Sequence, residues 1–134
     1  MPLPITAFVA AICGLMLLIT AIDTVRQRLR TSTAFGDGGD AKLVSASRAH
    51  GNLAEHAPIV ILLIAMLEMA KANHMALMAI GGLFLVGRVA HIIGLHTPAA
   101  PGKPPVPRQI GVILTWLTLA ALSGWTIWIL AIRN

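Results

Sequence analysis

The chain has 134 residues, 57% of them hydrophobic and 11% charged, with a formal charge of +5. Ordinary soluble domains are about 45–50% apolar and about 25% charged, so this composition excludes a typical soluble globular class. Its ten lysines and arginines cluster between apolar runs, which reads as membrane topology first and anion binding second, and not as nucleic-acid recognition.

Four apolar segments predict an all-α membrane protein, a single four-transmembrane-helix bundle over 1–134 with helices at about 3–30, 43–71, 74–96 and 107–132. A hydrocarbon core about 30 Å thick needs about 20 helical residues to cross it. The first segment opens behind Pro2 and Pro4. It lacks the basic lead and small-residue cleavage site of a signal peptide, so it is read as a retained helix. Ala10 and Gly14 form a small-xxx-small pair suited to a close helix neighbour. The single Cys13 reads as packing. The helix runs on to Asp23, Arg26, Arg28 and Arg30, and F-G-D-G-G-D in the following connection marks a turn-rich loop.

Helix two carries the sequence R-A-H-G-N-L-A-E-H-A-P from Arg48 to Pro58. Helical spacing puts Arg48, Asn52 and Glu55 within a sector of about 60°. A cation, an amide and a carboxylate on one stripe of an apolar helix point to a partner, a cavity or a ligand, because ionisable groups at membrane depth are costly. Pro58 predicts a bend beside Glu55. His50 points away from the stripe and predicts a structural hydrogen bond. Asn73 and His74 make a short turn into helix three, where Gly81, Gly82 and Gly87 thin the surface for packing. Arg88 and His91 follow as i, i+3 neighbours. A proline-rich connection, expected to be stiff and extended, leads to Arg108 at the start of helix four, whose Trp125 and Trp128 suit an aromatic belt.

Basic residues flank the first and third connections, while the other side has only Lys71 and Arg133. The positive-inside rule then places those two connections in the cytoplasm and both termini outside it. One of Arg26, Arg28 or Arg30 is expected to gather with Arg48, Asn52, Glu55, Arg88, His91 and Arg108 at the cytoplasmic helix ends. Such a cluster suits a small, mainly anionic ligand that also carries an ammonium group. Bland readings stand beside this one: a snorkelling Arg48, a Glu55 that neutralises a neighbouring arginine, an interhelical Asn52 and an Arg108 that only sets topology. His56, His74 and His96 show no metal-ligand spacing, and no metal site is proposed.

R-A-H-G-N-L-A-E-H-A-P resembles the helix-two signature of the MAPEG family, the membrane-associated proteins of eicosanoid and glutathione metabolism. G-R-V-A-H resembles the helix-three motif of its prostaglandin E synthase branch, and Arg28–Arg30 and Arg108 also fit. The A-F-G-D-G-G loop is similar to that of a small bacterial inner-membrane subgroup. The resemblance implies a homotrimer that binds glutathione, as co-substrate, between neighbouring subunits at the cytoplasmic side. It assigns Arg28, Arg48, Asn52, Glu55 and His91 to holding the tripeptide and Arg108 to stabilising its thiolate, since a free thiol ionises only near a pH of about 8.5. The implied activity is a transferase or peroxidase acting on hydrophobic electrophiles or peroxides, small molecules or lipids, dissolved among the membrane lipids. The chain departs from the family at Gly51, where eicosanoid-processing members carry arginine. It also departs at Leu95 and about Val112, where the prostaglandin synthase has tyrosines, and this chain has none. The alternative on the same fold is a non-catalytic membrane binder of lipid or thiol. A small four-helix multidrug transporter ranks last, because helix one has no acidic residue before Asp23.

Overall fold

The computed structural model describes residues 2–100 and 102–133, the Arg133 side chain excepted. Its elements are α1 (Pro4–Thr31), α2 (Ala41–Met69), α3 (His74–His96) and α4 (Val106–Arg133), with no strand among the described residues. All four helices are long and apolar enough to cross a membrane. Large apolar side chains such as Ile19, Leu62, Val86 and Leu117 are exposed along them, as expected where lipid rather than water is the solvent.

Helix boundaries follow their caps. Asp40 accepts a hydrogen bond from the Leu43 N–H (2.8 Å) and starts α2 at Ala41, ahead of the expected residue 43. Asn73 caps α3 in the same way through the Ala76 N–H (3.0 Å). α1 and α2 both end in Schellman turns. Thr33 and Ser32 donate to Arg28 and Leu29, and Ala72 and Lys71 donate to Leu67 and Glu68. Ser32 (φ 51°) and Lys71 (φ 57°) take the left-handed position usually given to glycine, which is why α2 stops before residue 71. α2 runs unbroken through Pro58. The third connection is non-helical as expected but not extended throughout, because the Lys103 N–H turns back onto the Ala100 carbonyl.

α1 packs on α2 and α3, α4 packs on α3 and α2, and α2 and α3 meet at the centre, while the α1 and α4 backbones stay apart. Val9, Leu53, Val60, Ile64, Phe84 and Leu122 fill the core. α3 and α4 cross at glycine. A Cβ on Gly111 would come within 2.6 Å of the Gly87 carbonyl and of His91 Cβ, and one on Gly94 would strike the Arg108 backbone. Gly82, by contrast, faces open space, as does Gly14, so the Ala10–Gly14 pair makes no close helix contact within the chain at Gly14. Trp128 faces outward as expected, whereas Trp125 packs against the core.

Candidate functional site

The α1–α2 and α3–α4 connections lie at one end of the bundle, here called the basic end. Arg28 lies there with backbone partners already in place. Its guanidinium donates to the carbonyls of Thr33 (3.4 Å), Ala34 (3.1 Å) and Gly36 (3.1 Å), clamping the loop. Arg30 pairs with Asp40, and Asp23 pairs with His96 across α1 and α3 (3.0 Å). The Arg30 guanidinium bonded to Asp40, with help from the Leu43 N–H, holds that carboxyl below its ordinary range.

The helix-two stripe divides on folding. Arg48 and Glu55 stay exposed and make no hydrogen bond or ion pair among the described residues, so the neutralising role for Glu55 is not taken within the chain. Arg28 and Arg48 do share the wall of one 230 Å³ cavity, together with Asp37 and Ser47. Asn52 turns inward, and its Oδ1 accepts from the Arg88 guanidinium at 2.7 Å. That contact fixes the amide orientation and leaves the NH2 group to donate elsewhere. His50 makes the expected structural bond, to Thr20 Oγ1 at 3.1 Å.

Arg88 is the centre of the interior polar network. It is 2% exposed, and it donates to Asn52, to the Gly111 carbonyl (3.1 Å) and to Thr115 Oγ1. Its Nε has no acceptor, and neither has Nδ1 of the buried His91 a partner. Phe84 lies under the guanidinium at 5.7 Å from the ring centroid. A 150 Å³ cavity beside this network is lined by Asn52, His56, Arg88, Val112, Thr115 and Trp116. His56 Nδ1 lies 2.7 Å from the Asn52 carbonyl. A carbonyl only accepts, so this nitrogen carries the hydrogen and Nε2 is left as an acceptor.

Arg108 is exposed on the first turns of α4. It lines a larger cavity of 630 Å³ with Lys103, the flanking prolines and Val112. Val112 belongs to both cavities, the one lined by Arg108 and the one lined by Arg88. The expected residues therefore fall into separate places within the chain: Arg28 with Arg48, Asn52 and the buried His91 around the interior arginine, Arg108 in the larger cavity, and Glu55 exposed on α2. Sequence reading passed over His56, although it lies one turn from Asn52 on the same helix face. It also passed over Thr115, which carries no signal until α4 is seen packed on Arg88. Among the described residues no cluster of histidine, cysteine and carboxylate side chains has metal-binding geometry.

The sequence matches the MAPEG family over residues 6–128. It is also similar to the inner membrane protein YecN of Escherichia coli K12 and to the protein of that name from Escherichia coli O6:H1 strain CFT073. Each is 33% identical over 124 residues, 92% of this chain and 91% of the relative. No solved structure matches it.

Proposed function

The chain belongs to the MAPEG family, and from that premise we propose that it is a membrane-embedded, glutathione-dependent transferase or peroxidase acting on hydrophobic electrophiles. In this reading three copies assemble in the bacterial inner membrane, termini outside the cytoplasm, and glutathione binds between neighbours at the basic, cytoplasmic end. Arg28, Arg48, Asn52, Glu55 and His91 hold the tripeptide, and Arg108 stabilises its thiolate.

The observation that carries the reading is the unpaired state of Arg48 and Glu55, one cation and one anion exposed on a membrane-spanning helix beside the inward Asn52 amide. Isolated charges at that depth need a partner. Glutathione offers two carboxylates to arginine forks and an ammonium group to Glu55. A site completed by a neighbouring copy also fits the separation of the candidate residues within one subunit.

Calorimetry on the detergent-purified protein tests this. Saturable glutathione binding is expected in the wild type and is expected to be lost in both Glu55→Gln and Arg48→Ala. Arg108→Ala is expected to keep binding and lose turnover of a test electrophile. A folded wild type that binds no glutathione sinks the reading. Binding without turnover across a broad electrophile panel favours the second one, a non-catalytic binder of lipid or thiol, for which the absence of tyrosine at Leu95 and Val112 speaks.

A further inference from the structure

Arg88 is a buried cation without a counter-charge among the described residues. The chain has five carboxylate side chains, and none of them reaches it. Asp23 bonds His96 and Gln27, Asp37 accepts from the Gly39 N–H, and Asp40 is held by Arg30 and the α2 cap. Glu68 is occupied at the opposite end, bound to Ile5 and Thr6, and Glu55 is exposed. Every hydrogen-bond partner of Arg88 among the described residues is neutral: an amide oxygen, a carbonyl and a hydroxyl. The titratable groups around it and around its neighbour His91 are Cys13 from α1, His56 from α2 and Arg108 from α4, none of them a carboxylate. A buried ion left unpaired is strongly destabilising, whereas the same ion facing an anion is not. Beside the guanidinium lies a 150 Å³ cavity with polar groups from α2, α3 and α4 in its wall, and Nε lacks an acceptor.

We infer that this cavity is an anion site in which Arg88 supplies the charge, and that its anion is the ionised sulfur of the bound thiol. The second half rests on the glutathione reading above; the first half does not. On binding, the thiol S–H bond breaks, the proton leaves to water and the electron pair stays on sulfur facing Arg88. Arg108 lines the neighbouring cavity, which shares Val112 with this one, and supplies a second cation near the sulfur. Arg88 acts from the dry side, where a charge is screened least.

Iodide probes the site without any thiol. In a variant keeping Trp116 as its sole tryptophan (Trp125→Phe, Trp128→Phe), iodide quenching of Trp116, which lines the cavity, is expected to saturate. Saturation is expected to survive Arg88→Lys at lower affinity and to vanish in Arg88→Met. Arg88→Gln keeps hydrogen-bonding groups for Asn52 and Thr115 and serves if the Met variant does not assemble. Linear quenching in the parent, or saturation unchanged in the neutral variants, overturns the anion site. Saturation that appears only after Cys13→Ala assigns the counter-charge to the chain's own thiol and overturns it too.

Glutathione and its S-methyl derivative then test the sulfur. The ultraviolet absorbance of bound thiolate is expected to titrate below the free-thiol value of about 8.5. Arg88→Gln is expected to raise that midpoint by about one pH unit, a tenfold lower thiolate fraction at neutral pH, without changing S-methylglutathione affinity. An unmoved midpoint, or equal loss of both peptides, overturns the sulfur assignment. Saturable iodide without any glutathione binding sinks the proposed co-substrate and leaves the anion site standing.

Discussion

The two ends of the bundle handle charge in opposite ways. At the end opposite the connections, Glu68 on α2 accepts from the Ile5 N–H (2.9 Å), the Thr6 N–H (2.9 Å) and the Thr6 hydroxyl (2.7 Å). Its carboxylate satisfies orphan donors at the start of α1 and faces the positive end of the helix dipole. At the basic end Arg48, Glu55 and Arg108 are left without partners among the described residues, and Arg88 is buried among neutral ones. A membrane protein has strong reasons to pair every charge it carries. The end where the Glu68 carboxylate is held reads as structure, and the end where Arg48, Glu55 and Arg108 stay unpaired beside the Arg30–Asp40 and Asp23–His96 pairs reads as a place for something else.

That contrast can be broken by substitution, beginning with the helix crossing that shapes the basic end. Gly111→Leu is expected to have the largest effect, since even a Cβ there meets the Gly87 carbonyl and His91 Cβ at 2.6 Å. Forced separation of α3 from α4 should lower the thermal midpoint in detergent by the equivalent of about 3 kcal/mol or more, or prevent assembly. Glu68→Ala comes next, with a loss of about 1–3 kcal/mol in denaturant unfolding, because it strips three hydrogen bonds from the start of α1. Glu55→Gln should shift stability by less than about 0.5 kcal/mol, having no partner in the subunit to lose, while abolishing glutathione binding. A large stability loss there would place Glu55 in a structural pair and erase the distinction between the ends.

Two smaller effects sharpen the picture of the caps. Arg30 depresses the Asp40 carboxyl, so the folded state binds that proton less readily than the unfolded chain does. The stabilisation is complete above the unfolded value of about 3.9 and fades as the pH falls through the lower folded value. Acid titration of unfolding in the wild type and in Asp40→Asn should therefore differ above a pH of about 4 and converge below it. Lys71→Gly is the smallest change. It relieves a non-glycine residue at φ 57° and should raise the thermal midpoint by the equivalent of at most about 1 kcal/mol.

Four helices were legible in the sequence because each apolar run is long enough to span a bilayer, and the span 74–96 matches residue for residue. The start of α2 was readable in principle from Asp40, an N-cap residue three positions before Leu43. The stripe on helix two was legible as a set of angles, but its division was not. Which side of Asn52 meets Arg88 depends on how α3 and α4 close at Gly87, Gly94 and Gly111, a three-body contact with no local pattern. The clamp made by Arg28 was hidden for the opposite reason. The arginine's charge was visible, but the loop carbonyls that occupy it have no signature in side-chain chemistry. Glu68 lies one residue inside the end of α2 and 62 residues from Thr6, a distance that periodicity does not bridge.

The Glu68 seal has a consequence for biosynthesis. The Arg28 clamp, the Asp40 cap, the two Schellman turns and the bonds from Ile5 and Thr6 to Glu68 all lie before residue 73. The first hairpin can thus be tied at both ends while the third helix is still inside the ribosome. It would enter the bilayer as a finished unit, onto which the second hairpin docks through glycine and Arg88.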